Sequence, residues 1–241
     1  MKRNYLFWVS AVLLCFYSMT GVGSTEEIKG QKPMLVIDDT FRFVPDTWGE
    51  YTVRDKKKKQ TYTMVMAMLE QQKCREGQCF WMEITIMAKD TPTVVTRFLT
   101  PQTPKGPGKP LSAIVQISGF DPFKVPAGFM KGEDAEVGQQ QNYHLSEKIR
   151  KKTIKTKQGT SIEIWQVEAV NDKKERITAW VSEQLPPLGL YQVDTADTSM
   201  HIKTWGTGAR SQITGKPMNF YLWLTKIVGK ALVDGTDKKK K

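Results

Sequence analysis

Histidine is nearly missing from this chain and cysteine is scarce, with two of the first and three of the second in 241 residues. That supply excludes a multi-cysteine metal module and leaves little for a histidine-based catalytic centre. The nucleophile elbow G-x-S-x-G, the zinc helix H-E-x-x-H and the dinucleotide turn G-x-G-x-x-G are all missing as well. Lys105-Gly106-Pro107-Gly108-Lys109-Pro110 is superficially like a phosphate loop. Thr103 stands where its first glycine belongs, however, and Pro110 where the magnesium-binding hydroxyl belongs. Neither His144 nor His201 has a nucleophile beside it in the sequence. The expectation is a non-enzyme without a cofactor or metal, a hydrolase with a dispersed site being the minor alternative.

Long hydrophobic runs are also lacking, apart from one at the start. Met1-Lys2-Arg3-Asn4 is basic, Tyr5–Tyr17 is apolar, and Ser18–Thr25 is small and polar. This is the order of a secretory signal peptide, and the apolar part is short of the roughly 20 residues that span a bilayer. An uncleaved anchor is the rival reading. Cleavage is expected after Gly23, leaving residues 24–241 as a single β-rich domain in the periplasm or secreted medium. Cys15 lies inside the apolar run, with bulky Leu14 before it and Phe16 after it, which is the wrong setting for lipidation.

Export leaves Cys74 and Cys79, an even pair in an oxidising compartment. Strand-like Met64–Leu69 and Phe80–Met87 flank them, and Gly77 lies between them, so a disulfide at a hairpin tip is expected. A redox pair is the alternative, but such sites use two intervening residues near a helix start and here there are four.

The rest of the chain alternates with period two between turn signals. Trp48–Arg54, Thr61–Leu69, Phe80–Ala88, Thr93–Leu99 and Leu111–Ser118 read as strands. Thr100–Pro110, with four prolines, reads as neither helix nor central strand. Gly119–Gly138 reads as a long loop. Tyr143–Thr156, Ser161–Ala169, Arg176–Glu183, Leu190–Val193 and Met200–Trp205 continue the pattern. Strands this short and frequent predict a mainly β (α+β) fold, a curved antiparallel sheet or half-barrel. One helix is expected, over Phe220–Leu232, where Phe220, Trp223, Leu224, Ile227, Val228, Ala231 and Leu232 form an apolar stripe. Pro217 suits its first turn, and Gly235 lies just past its end.

The formal charge is +11, from 36 basic and 25 acidic residues. Lys56–Lys59 falls in a turn, Arg150–Lys152 in a strand start and Lys238, Lys239, Lys240 and Lys241 in a tail. Export separates these from nucleic acid and leaves anionic lipid headgroups or acidic cell-envelope polymers as partners, an anionic membrane surface being the candidate for the tail. The hairpin carries a second feature. With Cys74 placed opposite Cys79, Met66 opposes Met87 and Met68 opposes Thr85, on the face that also carries Trp81. Met64, Met66, Met68, Trp81 and Met87, covered by a helix bearing Trp223, then form either an apolar cleft for a variable guest or simply packed core.

The segment Ile177-Thr178-Ala179-Trp180-Val181-Ser182-Glu183-Gln184-Leu185-Pro186-Pro187-Leu188-Gly189-Leu190-Tyr191 is similar to a strand ending in W-V-S-x-x-x-P, then Gly, of the LolA/LolB-like lipoprotein-carrier fold and related uncharacterised periplasmic proteins. That resemblance implies an open half-barrel covered by helices that binds acyl chains or lipoproteins. Two classes of function follow: an envelope protein binding a lipid, acyl chain or lipidated partner, and a structural or interaction protein of the envelope with a filled core.

Overall fold

The computed structural model describes residues 44–103, 106–130, 144–145, 150–156, 159–170 and 176–236. The expected signal segment, Cys15 and the Lys238–Lys241 tail lie outside them. The first strands are β1 (Thr47–Asp55), β2 (Gln60–Cys74), β3 (Gly77–Ala88), β4 (Val94–Thr103), β5 (Gly106–Pro107), β6 (Ser112–Ile117) and β7 (Phe123–Lys124). After a single helical turn, α1 (Ala127–Met130), come β8 (His144–Leu145), β9 (Arg150–Lys155), β10 (Ser161–Val170), β11 (Arg176–Val181), β12 (Leu190–Asp194) and β13 (Thr198–Thr207). The described chain closes with β14 (Met218–Asn219) and α2 (Phe220–Thr236).

The strands form one open sheet in the order β14-β7-β6-β4-β3-β2-β1-β13-β12-β11-β10-β8, with β5 added beside β4 and β9 beside β10. Every pairing is antiparallel except β14 with β7, which makes the sheet mixed. The expected mainly β fold with a C-terminal helix is what the chain adopts. β4 and β6, on either side of the proline-rich stretch, pair directly, so the sheet runs through it.

That stretch corrects one expectation, because β4 continues through Pro101 to Thr103. The reason is local. β6 pairs with β4 only as far as Leu99, so the proline's missing N–H falls beyond the end of that neighbour. The Pro101 carbonyl still accepts from the Gly108 N–H at 2.8 Å.

Alternation decides which face becomes core. In β1, Tyr51 and Val53 are buried while Thr52 and Arg54 are exposed. Buried side chains from β1, β2, β3, β4, β6, β7, β10, β11, β13 and α2 make one continuous cluster on this inner face. α2 packs on part of this face. A smaller cluster of Ile162, Ile164 and Leu185 lies apart. Leu188, from the same turn as Leu185, joins the main cluster.

α2 begins at Phe220, where the apolar stripe places it. Asn219 caps it, its Oδ1 accepting the Tyr221 N–H at 2.9 Å, and Pro217 precedes β14 instead of opening the helix. The helix also runs past Gly235 to Thr236. Trp223 is its anchor: it packs on Phe123 at 4.2 Å between ring centres and donates Nε1–H to the Asp121 carbonyl at 3.0 Å. Phe220, Leu224 and Ile227 are half-buried beside it, whereas Val228 is exposed.

Tyr51 is fully buried, and its hydroxyl has no hydrogen-bond partner among the described residues. Burial pushes its phenol well above the ordinary value. An unsatisfied buried hydroxyl costs about 1–3 kcal/mol. Tyr51→Phe is therefore expected to leave the melting temperature unchanged or to raise it by a few degrees; a clear fall in thermal unfolding would show that the hydroxyl is hydrogen-bonded after all.

Candidate functional site

The candidate site starts from the β2–β3 hairpin. Its turn is tighter than expected, with Cys74 opposite Gly77 and Gln72 opposite Cys79. Gly77 takes φ +112°, a left-handed conformation that a side chain would resist. The Cys74–Cys79 disulfide is present, with Cα atoms 5.9 Å apart, but it bridges the strands diagonally. Toward the hairpin base, β2 carries an extra residue between Met68 and Gln71.

Tight turn and bulge together reset the register. Met64 faces Ile86, Met66 faces Ile84 and Met68 faces Met82. The expected pairs of Met66 with Met87 and Met68 with Thr85 are therefore corrected. An odd shift moves every β3 side chain to the other face. Trp81 and Met87 consequently leave the methionine face, and Met82, Ile84 and Ile86 take their places. Trp81 instead donates Nε1–H to Gln72 Oε1 at 3.2 Å and lies under the Arg97 guanidinium, 5.0 Å from its ring centre. Met87 is exposed.

Along the inner face, burial falls away while apolar character persists. On β3, Phe80 is 1% exposed and Met82 is buried, Ile84 is half-buried and Ile86 is 40% exposed. On β2, Met68 (0%) and Met66 (2%) are buried, whereas Met64 and Tyr62 are half-buried. Met64, Ile86 and Val94 stand side by side across β2, β3 and β4. Tyr62 faces Val53, which in turn faces Met200 on β13. The result is an apolar rim across β2, β3 and β4, flanked in the same row by the buried Tyr51 and Ile117. Phe129 and Met130 of α1 and Leu224 and Ile227 of α2 are half-buried against the same cluster.

The predicted set is thus divided. Met66, Met68 and Trp223 belong to the buried core, Met64 belongs to the rim, and Trp81 and Met87 belong to the opposite face. Ile84, Ile86, Val94 and Tyr62 were missed as rim residues, although Gly77 at the turn was the signal that sets their register. Of the two histidines, the His144 side chain lies outside the described residues. His201 is exposed and meets Tyr191 edge-on at 4.7 Å; partial burial, then Lys152, hold its pKa below the ordinary value.

No family model matches this chain, and no curated protein matches it. Several solved structures are similar to it, two of them as follows. One is a β-barrel-like protein of domain of unknown function DUF1849 from Brucella abortus, at 12% identity and TM-score 0.31, covering 67% of this chain and 97% of that one. The other is a LolA superfamily protein from Nitrosomonas europaea, at 9% identity and TM-score 0.20, covering 74% and 94%. The resemblance to the LolA type is weak. Among the described residues the rim carries no paired acid and base, and it offers thioether, aliphatic and aromatic surface to an apolar guest.

Breaking the disulfide should change this site little, because the loop it closes is small. Cys74→Ser with Cys79→Ser is expected to cost no more than about 2–3 kcal/mol, measured by urea unfolding. A loss large enough to prevent folding would mean that the bridge organises more than the hairpin tip.

Proposed function

We propose that the chain is an exported, non-catalytic cell-envelope protein whose inner-face rim binds an acyl chain, a lipid or a lipidated partner. The observation that carries this reading is the burial gradient from Met68 and Phe80 up to Met64 and Ile86. Apolar side chains left half-exposed in a row lose the free energy of burial, about 25 cal/mol per Å², until something covers them. Methionine suits a guest of variable shape. The disulfide fits an oxidising compartment such as the periplasm. The Lys238–Lys241 tail would add an attraction to anionic headgroups of about 1 kcal/mol per lysine, which salt screens.

The test is titration with a fluorescent long-chain fatty acid. The native protein should bind it and release it to unlabelled phospholipid. Met64→Lys should weaken binding at least tenfold while unfolding near the native temperature. Absence of binding by the native protein, or full binding by the variant, would contradict the proposal. The second reading, a structural or interaction protein with a filled core, is favoured by the complete burial of Met66 and Met68. It requires that the native protein take up no probe at all.

A further inference from the structure

The outer face of the same hairpin carries an arrangement that the rim does not use. Glu83 is 1% exposed there, and its carboxylate accepts from the Ser211 hydroxyl and from the Gln212 N–H, each at 2.6 Å. These bonds hold the segment that joins β13 to α2 across the sheet. Farther along it, the Thr214 N–H donates to Gln116 Oε1 at 2.8 Å. Arg97 stands opposite Glu83 in the β3–β4 register. With the carboxylate taken up by Ser211 and Gln212, the Arg97 guanidinium stacks on Trp81, and its Nε is buried with no hydrogen-bond partner among the described residues.

Arg97 lines a cleft of about 410 Å³ together with Asp46, Glu70, Arg210, Ser211 and Leu69. That volume lies within the range of small-molecule sites. We propose that this cleft binds a small zwitterion bearing an ammonium and a carboxylate, as a short peptide does. Two arginines and two acidic residues are among its lining residues. A phosphate would be drawn by Arg97 and Arg210 but repelled by Asp46 and Glu70, and a simple cation would meet the reverse. A molecule carrying both charges satisfies both pairs. Arg97, seated over the Trp81 ring, carries a guanidinium fork of the kind that matches a carboxylate. Leu69 gives an apolar side chain somewhere to rest.

Calorimetric titration of the full mature chain with the dipeptide L-alanyl-L-leucine tests this, with intrinsic tryptophan fluorescence as a second readout. Binding is expected, at least tenfold weaker when the amine is acetylated or the carboxylate amidated. Arg97→Lys keeps the charge but loses the fork, and should weaken binding at least tenfold. Asp46→Asn should weaken it as well, which guards against a folding defect in the first variant. Fatty-acid binding at the Met64 rim should be unchanged in both. The proposal is overturned if the dipeptide does not bind, if blocked and free forms bind alike, or if neither variant weakens binding. Tighter binding of phosphoethanolamine would overturn the peptide assignment and give the cleft to a lipid headgroup, and tighter binding of inorganic phosphate would leave a simple anion site.

Discussion

Met66→Lys is expected to unfold the chain at physiological temperature. Met66 is 2% exposed on the inner face, flanked in register by Gly49 on β1 and Ile84 on β3. No carboxylate faces it across either neighbouring strand, so an ammonium there must lose its proton or admit water. Unpaired buried charges belong to the large end of mutational effects, about 4–5 kcal/mol. That is comparable with the whole stability of an ordinary domain, about 5–15 kcal/mol. Two residues away, Met64→Lys should cost about 1 kcal/mol or less, because a lysine at the rim can run its stem along apolar surface and keep its charge in water. Thermal and urea unfolding of the two variants side by side checks this. Equal shifts would mean that core and rim are not different environments.

Trp223→Ala is expected to cost about 3–5 kcal/mol, the range for removing a large buried aromatic. Trp223 packs on Phe123 and Phe220, with Phe120 edge-on at 6.5 Å, and makes the hydrogen bond to Asp121. The exposed Lys226–Asp121 pair at 2.7 Å adds little. Trp223 is the one buried side chain among the described residues of α2, with Phe220, Leu224 and Ile227 half-buried beside it. Hydrogen exchange should show α2 amides losing protection in the variant while β1–β3 keep theirs. Protection of α2 unchanged from the native protein would show that the helix is held elsewhere.

Much of the sheet could be read from the sequence, because period-two alternation and turn residues are local signals. Trp48–Arg54 lies within β1, Arg176–Glu183 overlaps β11, and Ser161–Ala169 matches β10 within a residue. Register is not local in the same way. It depended on whether the hairpin turned over two residues or four, and on a bulge that no residue between Met68 and Gln71 announces. Placing Cys74 opposite Cys79 therefore put Trp81 and Met87 on the wrong face, although Met64, Met66 and Met68 were grouped correctly. The cover of the outer face was illegible for another reason. The segment after β13 has no periodicity, and it is fixed by Glu83, a residue more than a hundred positions away. A single acidic residue in an apolar strand was the one clue, and its partners could only be found in space.

The central claim is that the half-exposed rim at Met64, Ile86 and Val94 is a binding surface and not the frayed edge of a core. Native mass spectrometry of the protein purified gently from its own host tests this most directly. A population carrying one lipid or acylated molecule per chain is expected, lost in Met64→Lys while the variant remains folded. A native protein that is lipid-free, and stays so after incubation with host lipid extract, would contradict it.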